Sequence, residues 1–157
     1  MPKVLLAAWL ALAASSPGAF AQEKAYPGYT GQKWAQDFGI VRGTCNSSAL
    51  SATLAGNGDR AVAMMRASHA AARLDAADRG CWGHALELSA EKKTVVWTNS
   101  AKLVRYRFTP TRNLQQAERP CREFTFQMSV LGREHLLKGV ACRRGEGRAE
   151  AEWELRL

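Results

Sequence analysis

The chain has 157 residues, 46% hydrophobic and 23% charged, with 22 Lys plus Arg against 14 Asp plus Glu and a formal net charge of +8. That length fits one domain rather than several, and the hydrophobic share excludes a disordered chain, so a single core is expected. The positive balance directs attention to anionic partners.

The N-terminus opens with Met1-Pro2-Lys3, a short basic start, followed by the apolar run Val4 to Ala14 and the turn-prone Ser15-Ser16-Pro17-Gly18. This is the layout of a secretory signal peptide. A run of 11 residues rises only about 16 Å as a helix, roughly half the hydrocarbon thickness, which makes a permanent anchor the poorer reading. Ala19-Phe20-Ala21 places small residues where a signal peptidase reads, so residues 1–21 are expected to be removed and the mature chain to start at Gln22. The competing reading is a buried N-terminal helix of a cytoplasmic protein. The first cysteine is Cys45, far from the cleavage point, so no lipidated N-terminus is expected. Removing 21 residues from 157 leaves 136, a comfortable size for one domain.

Residues 22–44 read as a flexible arm, on the strength of Ala25-Tyr26-Pro27-Gly28-Tyr29-Thr30-Gly31. Residues 45–91 read as helical. Asn57-Gly58-Asp59 is a break with a ready N-cap, and Arg60 to Leu74 spaces Ala63, Ala67, Ala70 and Leu74 along one helical face. Asp75 caps a second helix running to about Leu88, with Cys81, Ala85 and Leu88 toward the core. Gly80 and Gly83 within it each weaken a helix by about 1 kcal/mol relative to alanine.

From residue 92 onward the hydrophobic period changes to two, the mark of strands with one buried face. Five strands are expected: Thr94–Thr98, Leu103–Thr109, Cys121–Leu131, Glu134–Cys142 and Ala149–Leu157. Val104, Tyr106 and Phe108 alternate with Arg105 and Arg107; Phe124, Phe126, Met128 and Val130 alternate with Thr125, Gln127 and Ser129. In the last strand Ala151, Trp153, Leu155 and Leu157 face one way and Glu150, Glu152, Glu154 and Arg156 the other. The fold class that follows is α+β, with short N-terminal helices packed on a small antiparallel meander of about five strands.

Export places the chain where thiols pair, and its cysteines are even in number: Cys45, Cys81, Cys121 and Cys142. Four cysteines allow three connectivities. Cys45–Cys81 with Cys121–Cys142 is preferred because each pair brackets one region, and each closed loop removes roughly 3–4 kcal/mol of unfolded-state freedom. If Leu131-Gly132 form a two-residue turn, Cys121 stands directly opposite Cys142; a turn on Gly132-Arg133 makes them diagonal neighbours.

The remaining chemistry is sparse. The cysteines are not clustered as metal ligands, and His69, His84 and His135 lack metal-site spacing, so neither metal nor cofactor is expected. Glu123, Glu134 and His135 could serve acid–base work only by converging on a pocket, and charged strand residues more often form a solvated face, so no catalytic residue is assigned. His84 reads as a partly exposed helix residue, Met64-Met65 as core fillers, and Trp97 and Trp153 as core aromatics. The basic bias is more telling. Residues 22–91 hold seven Lys plus Arg against seven Asp plus Glu, whereas residues 92–157 hold fourteen against seven. Alternation gathers Arg105, Arg107, Arg112, Arg122, Lys138, Arg143 and Arg144 into a candidate polyanion-binding face on the outside of the sheet. Export and the lack of a recognition motif argue against nucleic acid as the polyanion.

The segments Val96-Trp97-Thr98-Asn99, Thr109-Pro110-Thr111-Arg112, Cys121-Arg122-Glu123-Phe124, Gly139-Val140-Ala141-Cys142-Arg143 and the late Trp153 together resemble the C-terminal domain of the 17 kDa outer-membrane surface antigen family of bacteria. Leu74 to Cys81 and His84-Ala85-Leu86-Glu87 look like that family's linker helix, and Cys45-Asn46 like the start of its glycine-zipper segment. The lipoprotein cysteine and long glycine zipper that members often carry are missing, and residues 46–80 hold no apolar run near the roughly 20 residues of a spanning helix. The resemblance implies an envelope location, a disulfide-tied β domain, a structural or surface role and no catalytic activity.

The expectation is therefore a non-enzymatic exported protein, in the periplasm or peripheral at the outer membrane. Its expected partners are anionic envelope components, the outer-membrane surface or peptidoglycan, or an envelope protein. The alternative is a soluble periplasmic binding or inhibitory module that docks on another protein.

Overall fold

A computed structural model of the chain describes residues 36–56, 62–67, 71, 73–144 and 152–156. The expected signal peptide, the arm up to residue 35 and the Asn57-Gly58-Asp59 cap lie outside the described residues. After a 3-10 turn at Ile40–Arg42 come α1 (Ser47–Ala55), β1 (Met64–Met65), α2 (Ala76–Leu88), β2 (Val95–Asn99), β3 (Val104–Gln116), β4 (Arg119–Val130), β5 (Arg133–Arg144) and β6 (Glu152–Arg156). The strands form one curled, mixed sheet in the order β1-β6-β5-β4-β3-β2, so the fold is α+β with a β-rich core. No helix among the described residues is long and apolar enough to cross a membrane.

The expected second helix starts as the sequence indicates: Asp75 Oδ1 accepts the Asp78 backbone N–H at 2.9 Å, satisfying an otherwise unpaired first-turn donor. What the sequence does not indicate is how deeply α2 is enclosed. Every residue from Gly80 to Leu88 is buried. Trp82 stacks on Phe126 with ring centroids 4.3 Å apart and meets Phe124 edge-on at 5.4 Å, which fixes one side of the helix to the sheet. The opposite side is covered by α1 and by residues 38–45 and 62–65. Gly80 receives Leu50 there, and Gly83 lets the Ala63–Met64 backbone cross: a Cβ on Gly83 would lie 2.3 Å from the Ala63 carbonyl oxygen. The two glycines that weaken the helix in isolation are what allow it to be buried on both sides.

That crossing corrects the expected first helix. Residues 62–67 are not helical, and Met64 and Met65 form a short strand that pairs in parallel with Glu152 and Trp153 of β6. A helix there would stand 8–10 Å from α2, whereas a bare strand approaches to backbone contact. Met65 is fully buried and Met64 partly so, as core fillers. The helix that precedes α2 is instead α1, capped by Asn46, whose side chain accepts the Ala49 N–H at 3.0 Å. The expected arm also ends earlier than residue 44: Phe38 and Ile40 are buried, and residues 43–45 line the free edge of β2, with the Cys45 N–H donating to Val96 O at 3.0 Å.

All five expected strands are present, joined by the short β1. β3 runs past Pro110 to Gln116, although a proline there reads as a strand end. It is tolerated because β2 pairs only as far as Phe108, so the missing N–H falls on an edge, and a register shift follows at once between Pro110 and Arg112. β3 and β4 meet in a two-residue turn at Ala117-Glu118, and β4 and β5 at Leu131-Gly132, with positive φ at all four positions as such hairpins require. The second turn sets Cys121 opposite Cys142. Both expected disulfides form, Cys45–Cys81 with Cα atoms 5.8 Å apart and Cys121–Cys142 with 4.0 Å.

Candidate functional site

Because α2 covers one face of the sheet, strand parity decides which side chains remain open. On β3, Val104, Tyr106 and Phe108 turn inward and are buried, which leaves Arg105 and Arg107 exposed on the outer face. Arg105 stands beside Ser129 of β4 and Arg107 beside Gln127. Arg112, past the register shift, lies opposite Glu123 and contacts it at 2.6 Å, and Lys138 of β5 lies opposite Thr125. An open cleft of about 490 Å³ is lined by Thr111, Glu123, Phe124, Thr125, Lys138, Gly139 and Val140, so Lys138 is the cation that lines it. The outer face thus brings together Arg105, Arg107, Arg112 and Lys138. Arg144 sits at the far end of β5, half-buried and 3.8 Å from Glu152.

Two expected members of that face are elsewhere, and this corrects the sequence reading. Arg122 and Arg143 are 2% and 5% exposed and point inward. Arg122 donates from Nη1 to the Leu86 carbonyl at 2.6 Å, supplying a cation to a carbonyl in the last turn of α2. Arg143 Nε lies 3.4 Å from Glu87 Oε2, which also accepts the Trp153 indole N–H at 3.0 Å. The signal for both was present in the sequence. Arg122 shares the parity of Phe124 and Phe126, and Arg143 that of Ala141, so alternation carried one step further places them inside.

The first turn of α2 is held by acids. The buried Asp78 carboxylate accepts from Trp97 Nε1 at 3.1 Å, Asn99 Nδ2 at 2.9 Å and the Tyr106 hydroxyl at 3.2 Å. Burial raises its pKa, Asn99 opposes that, and the neighbouring Asp75 charge adds to it. Burial also pushes Asp75 up, but the Asp78 N–H, Asn99 and Lys102 together hold its carboxyl below the ordinary value. Burial, reinforced by the Asp78 carboxylate, raises the Tyr106 phenol well above its usual range.

His84, expected to be partly exposed, is fully buried. Its Nε2 accepts the Ala63 N–H at 3.3 Å, and its ring meets Phe38 edge-on at 5.0 Å. Burial lowers its pKa to about 4 against a small opposing pull from Asp37. Nothing in the local sequence distinguishes His84 from an exposed helix position; its burial follows from the strand crossing at Gly83. Trp97 and Trp153 are core residues, and Glu134 and His135 are exposed.

Among the described residues no group of three His, Cys, Asp or Glu side chains is placed to hold a metal ion. The enclosed ionisable groups described above are engaged in holding α2, while the open cleft carries Glu123 and Lys138. No family model, curated protein or solved structure matches the chain.

Proposed function

We propose that the chain is an exported, non-enzymatic protein of the bacterial cell envelope, related in kind to the outer-membrane surface antigens, that rests on an anionic surface through the outer face of its sheet. The observation that carries this reading is the placement of Arg105, Arg107, Arg112 and Lys138 on the outer face of the sheet. Four cations on one plane act together on a polyanionic surface, and their attraction weakens as salt shortens the screening length. Lipid phosphates, lipopolysaccharide and the acidic groups of peptidoglycan supply that chemistry. Two disulfides are compatible with export.

Sedimentation with vesicles tests the reading. The protein is expected to sediment with vesicles containing anionic lipid, to be released by added salt, and to ignore zwitterionic vesicles. The Arg105→Glu/Arg107→Glu variant is expected to lose at least tenfold in affinity while keeping its thermal stability, and undiminished sedimentation of that variant sinks the proposal. A second reading, a soluble periplasmic module that docks on another protein, draws support from Leu103, Leu131 and Leu136, which are 68%, 83% and 61% exposed. Leu103 and Leu131 lie at one end of the sheet, because Val104 pairs with Val130. A stoichiometric partner lost on Leu103→Ser/Leu131→Ser substitution separates the two.

A further inference from the structure

β5 is twelve residues long, but β6 pairs only with Val140–Arg144. Its first half, Arg133 to Lys138, pairs with β4 on one side and, among the described residues, has no strand on the other. An open edge of this kind presents a row of backbone donors and acceptors to a further strand. Five of its six side chains are exposed, Leu136 by 61%.

We propose that this edge pairs with the same edge of a second copy, antiparallel about a two-fold axis that passes through Leu136. A two-fold axis perpendicular to the sheet keeps both outer faces on one side, so each residue must meet one of its own parity. Centred on Leu136, the outer face sets Leu136 against Leu136 and Glu134 against Lys138, the latter twice by symmetry. The inner face sets His135 beside Leu137. Centred one residue earlier, Glu134 would meet Leu136 and Arg133 would meet Leu137. Centred one residue later, Leu136 would meet Lys138, and Glu134 would run onto Val140, where β6 already lies. On the outer face, the Leu136 register is the one of the three that matches charge with opposite charge and apolar with apolar.

Charged edge residues ordinarily repel foreign strands, and in this register they recognise their own copy. Each cross-strand pair contributes little by itself, and two short edges bury less than the roughly 1,200 Å² of a stable complex. The dimer is therefore weak and concentration-dependent.

Sedimentation equilibrium on the full two-disulfide protein, from about 1 µM to about 1 mM to bracket a weak interface, is expected to show a monomer–dimer equilibrium. Glu134→Lys alone and Lys138→Glu alone each set like charges opposite one another twice, and each is expected to raise the dimer Kd by about tenfold or more. The double swap Glu134→Lys/Lys138→Glu restores the match and the dimer. An equimolar mixture of the two single variants is expected to form a heterodimer. Both positions of substitution carry exposed side chains, and an unchanged near-ultraviolet spectrum verifies the fold. A wild-type protein that stays monomeric throughout the range overturns the proposal, as does a dimer whose Kd neither single swap alters.

Discussion

Arg122 and Arg143 lie on the inner face of the sheet, 2% and 5% exposed, whereas Arg105 and Arg107 stand open on the outer face of β3. The same side chain does different work in the two places. Inside, each guanidinium is directed at α2, one to the Leu86 carbonyl and one to Glu87, and the cost of removing its charge from water is offset by a fixed partner. Outside, the guanidiniums keep their hydration and remain available to an external anion. A count of basic residues therefore overstates the binding surface, because part of that charge clamps the central helix.

If the inner face is governed by contact, the largest loss should come where there is no room to yield. Gly83→Ala places a Cβ 2.3 Å from the Ala63 carbonyl oxygen and 2.5 Å from its carbon, main-chain atoms of the residue that leads into the β1–β6 pairing. Destabilisation of about 4 kcal/mol or failure to fold is expected, measured by chemical denaturation. A loss below about 1 kcal/mol would mean that β1 does not cross α2 so closely. Next comes Glu87→Ala, which takes the shared acceptor from Trp153 and Arg143. Breaking a buried pair costs about 3–5 kcal/mol, and the same titration reads it.

Acid should act on the inner face through His84. Its folded pKa is about 4 and its ordinary value 6.5, so between those pH values the unfolded chain binds a proton that the folded chain rejects. Stability is then full above about pH 6.5 and falls as pH drops toward 4, by about 3 kcal/mol in all. Asp78, whose pKa is raised, works with the opposite sign in the carboxylate range. His84→Gln keeps a side-chain hydrogen-bond acceptor near the Ala63 N–H but cannot titrate there, so denaturation at pH 7, 5 and 4 should show a flatter slope. An unchanged slope assigns the acid sensitivity to another group.

Much of this architecture is legible in the sequence where period and chemistry agree: the strands, the Asp75 cap, a turn at Gly132 whose register the sequence leaves open between two placements, and both disulfides. Legibility fails where a residue's role is set by a distant element. Residues 60–74 are rich in alanine and read as helix, but Ala63–Met64 crosses α2 as non-helical backbone leading into β1, because Gly83 leaves room that a side chain would close. Pro110 reads as a terminus until β2 is known to have ended already. The outer face was half legible. Parity correctly exposed Arg105 and Arg107, and the same parity, followed back from Phe124, would have enclosed Arg122.

The smallest expected effect is the sharpest probe of the difference between the faces. Arg112 and Glu123 contact at 2.6 Å, closer than Arg143 and Glu87 at 3.4 Å, so distance alone would make the outer pair the stronger. The side chains of Arg112 and Glu123 are 63% and 34% exposed, however, and water and salt screen them. Glu123→Ala is accordingly expected to cost under about 1 kcal/mol, several-fold less than Glu87→Ala, in parallel denaturation experiments. It also leaves Arg112 without its counter-charge at the rim of the cleft, so on the proposed function the variant should bind anionic vesicles more tightly than the parent at low salt. Equal losses from the two substitutions would show that the outer face is covered in solution. Tighter vesicle binding at unchanged stability would show that Glu123 tunes the charge of an open surface.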